Sequence, residues 1–92
     1  MSLAMDERDN ARQRKEIVVA LLYAAKHAPE LLRVCDSVDG DFSETRTAIA
    51  EAFAINEVQA DAILNMQVRR FTPHALEQLR TELDEINAVL GE

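Results

Sequence analysis

The sequence predicts an all-α fold, and three observations support this fold class. The 92 residues include only four aromatic side chains, so leucine, isoleucine, valine and alanine supply most of the apolar volume, as they do in helix bundles. Only two glycines and two prolines interrupt the chain, and runs of β-branched residues are short. The last third of the chain repeats leucine or isoleucine at intervals of three and four residues, which is the spacing of one helix face.

Local signals set the boundaries of five predicted helices. Pro29 ends the first helix, because proline has no backbone N–H to donate. A loop over residues 36–42, with Gly40 between two aspartates, follows the second helix, and Gly91 is suited to end the last one. The predicted helices span residues 6–28, 29–35, 43–53, 56–70 and 73–90.

Three of the helix starts carry capping signatures. Asp41 is followed three residues later by Glu44, and Asn56 is followed in the same way by Gln59, which is the pattern of a capping box. Thr72 directly precedes a proline, a combination that favours the N-cap and the first position of a helix. These signals predict where the third, fourth and fifth helices begin.

The two long helices are expected to pack as an antiparallel two-helix coiled coil, capped by a small helical knob made of the three short helices. Each long helix has a narrow apolar stripe, and the alanines of the first allow a close approach to the leucines of the last. Residues 1–11 are predicted to form a polar N-terminal extension, interpreted in part as a tag, and residues 12–92 to form the folded domain. The predicted seam consists of Ile17, Leu21, Ala24, Ala28, Leu76, Leu79, Leu83, Ile86 and Leu90.

The charge of the chain argues against direct nucleic-acid binding. Seventeen acidic and ten basic side chains give a formal net charge of −7 at pH 7. A phosphate backbone repels such a surface unless the basic groups are collected on one face. Neither basic cluster forms such a stripe; the clusters are Arg12, Arg14 and Lys15, and Arg69 and Arg70.

The sequence also predicts a cytoplasmic protein without membrane contact. No stretch approaches the ~20 apolar residues of a membrane span, and the first ten residues lack the apolar core of a signal peptide. Cys35 is the single cysteine, so the chain has no intramolecular disulfide and suits a reducing compartment.

No combination of side chains indicates catalysis, a cofactor or a metal site. His27 and His74 are too few and too far apart for a zinc site, and Cys35 lacks a visible orienting partner. Tyr23 lies within an apolar helix, where we expect it to pack. The acidic residues around Gly40 lack the twelve-residue pattern of an EF-hand, so a solvated loop that caps a helix is expected there.

The run QADAILNMQVRRFT, residues 59–72, resembles the segment at the tip of the coiled-coil arm in the A subunits of bacterial type IIA topoisomerases, gyrase and topoisomerase IV. The resemblance extends in order over roughly residues 12–90, from EIVVALLYAAKHAPELLRVCDS to the returning helix HALEQLRTELDEINAVL. The sequence departs from the family at Asn65, Gln67 and Pro73, where an acidic residue, a basic residue and a glycine are usual.

The resemblance implies an arm whose knob brings two subunits together at the exit gate for DNA. The winged-helix tyrosine and the magnesium-binding acidic cluster that such enzymes need for DNA cleavage have no counterpart in this sequence. A non-catalytic homodimerisation module is therefore expected, and a full-length topoisomerase A subunit is the second expected partner. Some apolar side chains of so thin a structure must face outward, where they mark a partner site. The predicted dimer interface consists of Ile63, Met66, Gln67, Arg70 and Phe71.

An alternative from a different class is a small helical DNA-associated regulatory protein, which binds DNA or a topoisomerase subunit through the two basic clusters. The net charge of −7 disfavours it. A salt-sensitive shift of duplex DNA distinguishes this alternative from a dimerisation module.

Overall fold

The computed structural model describes residues 3–92, and its helices confirm the all-α fold class. No strand occurs among these residues, and none of their helices combines the length and the apolarity that a membrane span requires. The α-helices are α1 (Leu3–Lys26), α2 (Ala28–Asp36), α3 (Phe42–Phe53), α4 (Glu57–Leu64) and α5 (Pro73–Leu90), and a 3-10 helix spans Val68–Phe71.

Helices α1 and α5 lie side by side and form the arm of the molecule. Arg8 Nη2 donates to the carbonyl oxygen of Leu90 at 3.4 Å, and Arg14 Nη2 lies 2.9 Å from Glu82 Oε1. As the chain advances along α1, its contacts therefore move backward along α5. This order shows that the two helices are antiparallel.

The Lys15–Glu92 ion pair adds a contact between the middle of α1 and Glu92, which follows the left-handed Gly91 at the end of α5. Lys15 Nζ lies 2.7 Å from Glu92 Oε1, and this hydrogen bond, together with the charge of the lysine, holds the pKa of the Glu92 carboxyl below its ordinary value. A depressed folded-state pKa stabilises the fold above the ordinary carboxyl pKa, and that contribution is lost as the pH falls through the folded-state pKa. Because Glu92 is exposed, the contribution is small.

The core lies where α1 meets α5 and α4, and it continues under α2 and α3. Ile49 and Leu79 are the largest side chains that are almost completely buried, at 0% and 1% exposure. Ala24 and Ala60 are also fully buried, and such small side chains let helices approach closely. The buried cluster contains Ala11, Val18, Ala20, Leu21, Ala24, Leu31, Ile49, Ala60, Ile63, Leu79, Ile86 and Leu90.

The structure places the nine predicted seam residues at different depths. Five are buried: Leu21, Ala24, Leu79, Ile86 and Leu90. Ile17 and Leu83 are partly buried against the core, Leu76 is partly exposed, and Ala28 belongs to α2 and not to α1. Helix α1 also buries Val18, outside the predicted stripe, because it contacts both α5 and α4. The coiled-coil geometry and the seam stay predictions.

The predicted boundary between residues 1–11 and 12–92 lies inside a continuous helix. Helix α1 runs from Leu3 to Lys26 without interruption, and Ala11 is buried at 7% exposure. Residues 1–2 of the predicted extension lie outside the described part of the chain. The division stays a prediction, although the last turns of the extension take part in the arm.

The first helix ends two residues earlier than predicted. His27 leaves the helix with φ −120° and ψ 38°, and α2 begins at the next residue with Pro29 at its second position. The backbone N–H of His27 still donates to the carbonyl oxygens of Tyr23 and Ala24. The pyrrolidine ring clashes with the carbonyl group four residues before the proline, so the helix breaks in the preceding turn and not at the proline itself.

The prediction of one helix over residues 56–70 is wrong. Helix α4 ends at Leu64, and the chain passes through extended Gln67, with φ −80° and ψ 146°, into the 3-10 helix. At the end of α4, the backbone N–H and Nδ2 of Asn65 both donate to the carbonyl oxygen of Asp61, at 3.1 and 2.8 Å, and the N–H of Met66 donates to the carbonyl oxygen of Ile63, three residues back. Asparagine favours helix ends because its side chain bonds to the nearby backbone in this way.

The capping signals predicted for α4 and α5 are confirmed. Asn56 Oδ1 accepts from the N–H of Gln59 at 2.8 Å, and Gln59 Oε1 accepts from the N–H of Asn56 at 3.1 Å, which completes the capping box. Thr72 Oγ1 accepts from the N–H of Ala75 at 3.2 Å. Gly91 ends α5 in the left-handed conformation, with φ 75°.

Helix α3 has one half of the predicted capping box at its start. Asp41 Oδ1 accepts from the backbone N–H of Glu44 at 3.0 Å. The helix ends at Ala54, which adopts the left-handed conformation with φ 55° and ψ 48°, and the N–H of Ile55 donates to the carbonyl oxygen of Ala50 at 3.0 Å. A side chain larger than hydrogen is disfavoured in that conformation, so packing around the corner must hold it in place.

Truncation of Leu79 to alanine is expected to destabilise the arm strongly. The side chain is 1% exposed, so Leu79→Ala leaves a cavity in the core and costs about 2–5 kcal/mol of unfolding free energy. Urea unfolding followed by circular dichroism measures this loss. The control Val89→Ala, at a position that is 55% exposed, should change the value by less than about 0.5 kcal/mol. Equal losses for both variants would contradict the described core.

Removal of the α4 cap is expected to have a smaller effect. Asn56→Ala loses the acceptor for the N–H of Gln59 and should lower the unfolding free energy by about 1 kcal/mol. Asn56→Asp keeps an oxygen acceptor at the same position and should unfold close to the unaltered chain in the same urea titration. An alanine variant as stable as the aspartate variant would show that the capping box does not hold α4.

Candidate protein–protein interface at the tip of the arm

The turn between α4 and α5 lies where the two arm helices meet the knob, and we call residues 65–71 the tip. The 3-10 helix Val68–Phe71 forms the second half of this turn, and it contacts both α1 and α5. The backbone N–H of Arg70 donates to the carbonyl oxygen of Gln67 at 2.9 Å, which closes the turn. The tip is therefore supported by both arm helices and presents its side chains from a braced backbone.

The five predicted interface residues lie in the last turn of α4 and in the tip, and they differ in exposure. Ile63 is only 3% exposed, so it belongs to the core and does not supply surface in the isolated chain. Met66 and Phe71 are partly buried and pack against that core. Gln67 is exposed and Arg70 is partly exposed. The predicted exposed apolar patch is therefore smaller than expected from these residues alone.

Val68 supplies exposed apolar surface that the sequence pattern did not reveal. It is 84% exposed, more than any other large apolar side chain of the described residues. The predicted helix over residues 56–70 concealed it, because helical spacing places Val68 four residues after Leu64 and three before Phe71, on the apolar face that packs inward. The helix-ending role of Asn65 was the signal that could have placed Val68 in a turn.

The tip is locally positive on an otherwise acidic chain. Residues 62–76 contain Arg69 and Arg70 and no acidic residue, although the whole chain has a formal net charge of −7. The ion pairs among the described residues involve other basic groups. Arg70 is half-buried in a groove that Glu77, Glu82 and Glu85 also line, whereas Arg69 is exposed, so Arg69 is the guanidinium group more accessible to an acidic partner.

The second basic cluster is already engaged within the arm. Arg12, Arg14 and Lys15 lie 3.8, 2.9 and 2.7 Å from carboxylate oxygens. Those carboxylates belong to Asp9, Glu82 and Glu92. Each positive charge is thus balanced by a neighbouring negative one, which leaves no basic stripe along α1.

Tyr23 packs at the joint between the arm and the knob. Its ring stacks on the ring of His27, with centroids 4.0 Å apart, and meets the ring of Phe53 edge-on at 5.3 Å. His27 Nδ1 lies 2.8 Å from the carbonyl oxygen of Tyr23. Within residues 3–92, no group of three or more His, Cys, Asp or Glu side chains is arranged to hold a metal ion.

Curated relatives of the chain are A subunits of a bacterial topoisomerase, whereas no protein-family model matches it. The DNA gyrase A subunit of Synechocystis sp. is 32% identical over 82 residues, which cover 89% of this chain. The DNA gyrase A subunit of Lawsonia intracellularis is 30% identical over 85 residues, or 92% of the chain. The corresponding protein of Leptospira biflexa is 27% identical over 84 residues, or 91% of the chain.

The chain spans about a tenth of the length of these relatives, since the matched segments are 9–10% of each of them. Similarity along nearly the whole chain agrees with the order of helices in the structure, which contains the arm and the turn that carry the resemblance. The resemblance read from the sequence is thereby confirmed, and over about nine-tenths of its length this chain is related to a short segment of the DNA gyrase A subunit.

Proposed function

We propose that this chain is a non-catalytic dimerisation module, which pairs with a second copy through the tip about a twofold axis. The observation that carries the proposal is Val68, an apolar side chain that is 84% exposed on a turn braced by both arm helices. An exposed apolar surface on a supported backbone is typical of a partner site, because its burial against another protein removes it from water.

The proposed contact surface has an apolar centre and a polar edge, as specific interfaces do. Val68 stands at the centre, and the partly exposed faces of Met66 and Phe71 extend it toward the core. Gln67 and Arg70 lie beside them and supply hydrogen-bonding groups. Ile63 and the predicted seam of the arm act from within by holding this surface in place.

A gyrase A subunit is the second partner that we propose. The curated relatives are 27–32% identical to this chain across the segment that includes the tip, so a similar surface on such a protein would accept it. Mixed pairs of this kind form in the cytoplasm, where we place the chain. We propose no DNA-cleaving activity for this chain, since it matches about a tenth of each relative and most of such an enzyme lies outside the match.

Introduction of a charge at the tip is expected to convert a dimer into a folded monomer. Val68→Asp places a carboxylate at the centre of the proposed contact, and burial of that charge without a partner disfavours pairing. Light scattering measures the mass, and circular dichroism shows that the helices persist. The matched control is Val89→Asp, which alters a valine that is 55% exposed near the opposite end of the arm and should remain a dimer.

A monomeric mass for the unaltered chain would overturn the proposal. A dimer that Val68→Asp leaves intact would move the interface away from the tip.

The DNA-associated alternative is expected to fail in a retardation assay. The cluster on α1 is paired with carboxylates, and the net charge of −7 opposes the approach of a phosphate backbone. A short DNA duplex should therefore migrate unchanged with the chain at physiological salt. Retardation that weakens with added salt and disappears in the double variant Arg69→Gln, Arg70→Gln would support the alternative instead.

A further inference from the structure

Among the residues whose exposure the structure describes, the two most exposed large apolar side chains lie in surroundings of opposite charge. Val68 is 84% exposed beside Arg69 and Arg70, and Phe42 is 81% exposed at the start of α3. The residues around Phe42 carry negative charge. We call Val68, Arg69 and Arg70 the basic turn, and Asp39, Asp41, Phe42 and Glu44 the acidic corner.

The acidic corner keeps its negative charge uncompensated within the described chain. None of its three carboxylates takes part in an ion pair among residues 3–92. Asp41 only caps α3, through the bond from the N–H of Glu44, and the Glu44 carboxylate lies directly over Gly40. Phe42 therefore stands as a bare ring within a cluster of carboxylates, as Val68 stands beside two guanidinium groups.

We propose that the basic turn of one copy docks on the acidic corner of a second copy. Val68 then packs against Phe42 of the second copy, while Arg69 and Arg70 face the carboxylates of Asp39 and Asp41. The inference rests on the proposed function and names the surface that receives the tip. In a twofold dimer the contact occurs twice, so both apolar side chains of each copy are covered.

Charge decides between this arrangement and a direct stacking of two tips. Two basic turns placed face to face would bring four arginines together, and like charges across an interface disfavour pairing. An offset that aligns each basic turn with an acidic corner replaces this repulsion by two attractions. The same complementarity accelerates the encounter of the two copies at low salt.

The experiment is an exchange of charges between the two surfaces. Arg69→Glu and Asp39→Lys are suited to it, because both side chains are exposed and neither makes a hydrogen bond in the described structure. Each variant alone places like charges at both contacts of its homodimer and should raise the dimer dissociation constant about tenfold. In a one-to-one mixture both contacts of the mixed dimer are attractive again, so the mixed dimer should predominate.

Native mass spectrometry with one variant isotopically labelled separates the mixed dimer from the two homodimers. The matched control mixes Asp39→Lys with Arg80→Glu, which reverses an exposed arginine on α5 outside the basic turn and should not favour the mixed dimer. Phe42→Ser should also weaken the homodimer without loss of helix, because its side chain packs on little of its own chain.

The outcomes separate the two proposals. If the unaltered chain dimerises, Val68→Asp is monomeric and the charge exchange does not favour the mixed dimer, docking on the acidic corner is wrong while pairing through the tip stands. If the unaltered chain is a monomer, the proposed function itself fails.

Discussion

The packing of α1 against α5 is the interaction on which the rest of the structure depends. The knob helices α2, α3 and α4 have 9, 12 and 8 residues, lengths at which an isolated helix is marginal in water. They are held because α4 and the 3-10 helix rest on α1, and α2 and α3 continue the same core. The conformation of the tip depends on the same packing, since its 3-10 helix contacts both α1 and α5.

Helix α5 shows when a sequence predicts an element well. Its start at Pro73 and its end before Gly91 agree with the prediction, because the cap, the apolar spacing and the terminating glycine all indicate the same boundaries. The segment after Leu64 shows the opposite case. Apolar spacing continues through it, but the helical hydrogen bonding ends after Asn65, because the N–H of Met66 donates to the carbonyl oxygen of Ile63, three residues back. Apolar periodicity alone therefore does not locate the end of this helix.

The sequence indicates a candidate segment for the interface, which stays a prediction, but it does not give the exposure of the side chains in that segment. The depth of each side chain in the tip depends on contacts with α5, which follows directly, and with α1, which is distant in sequence. The charges show the same limit. The two basic clusters look alike in the sequence, and only folding brings Glu82 to Arg14 and Glu92 to Lys15, from 68 and 77 residues away.

The contact between Arg8 and the carbonyl oxygen of Leu90 has a mechanical consequence for any larger protein that carries this segment. A chain that enters along α1 leaves along α5 at nearly the same point, so both connections to a host domain lie at one end of the arm. A host domain needs to open only one narrow gap to accommodate it. Because the molecule is 46 Å along its long axis, a slight tilt at the end where the chain enters and leaves moves the opposite end through a much larger distance.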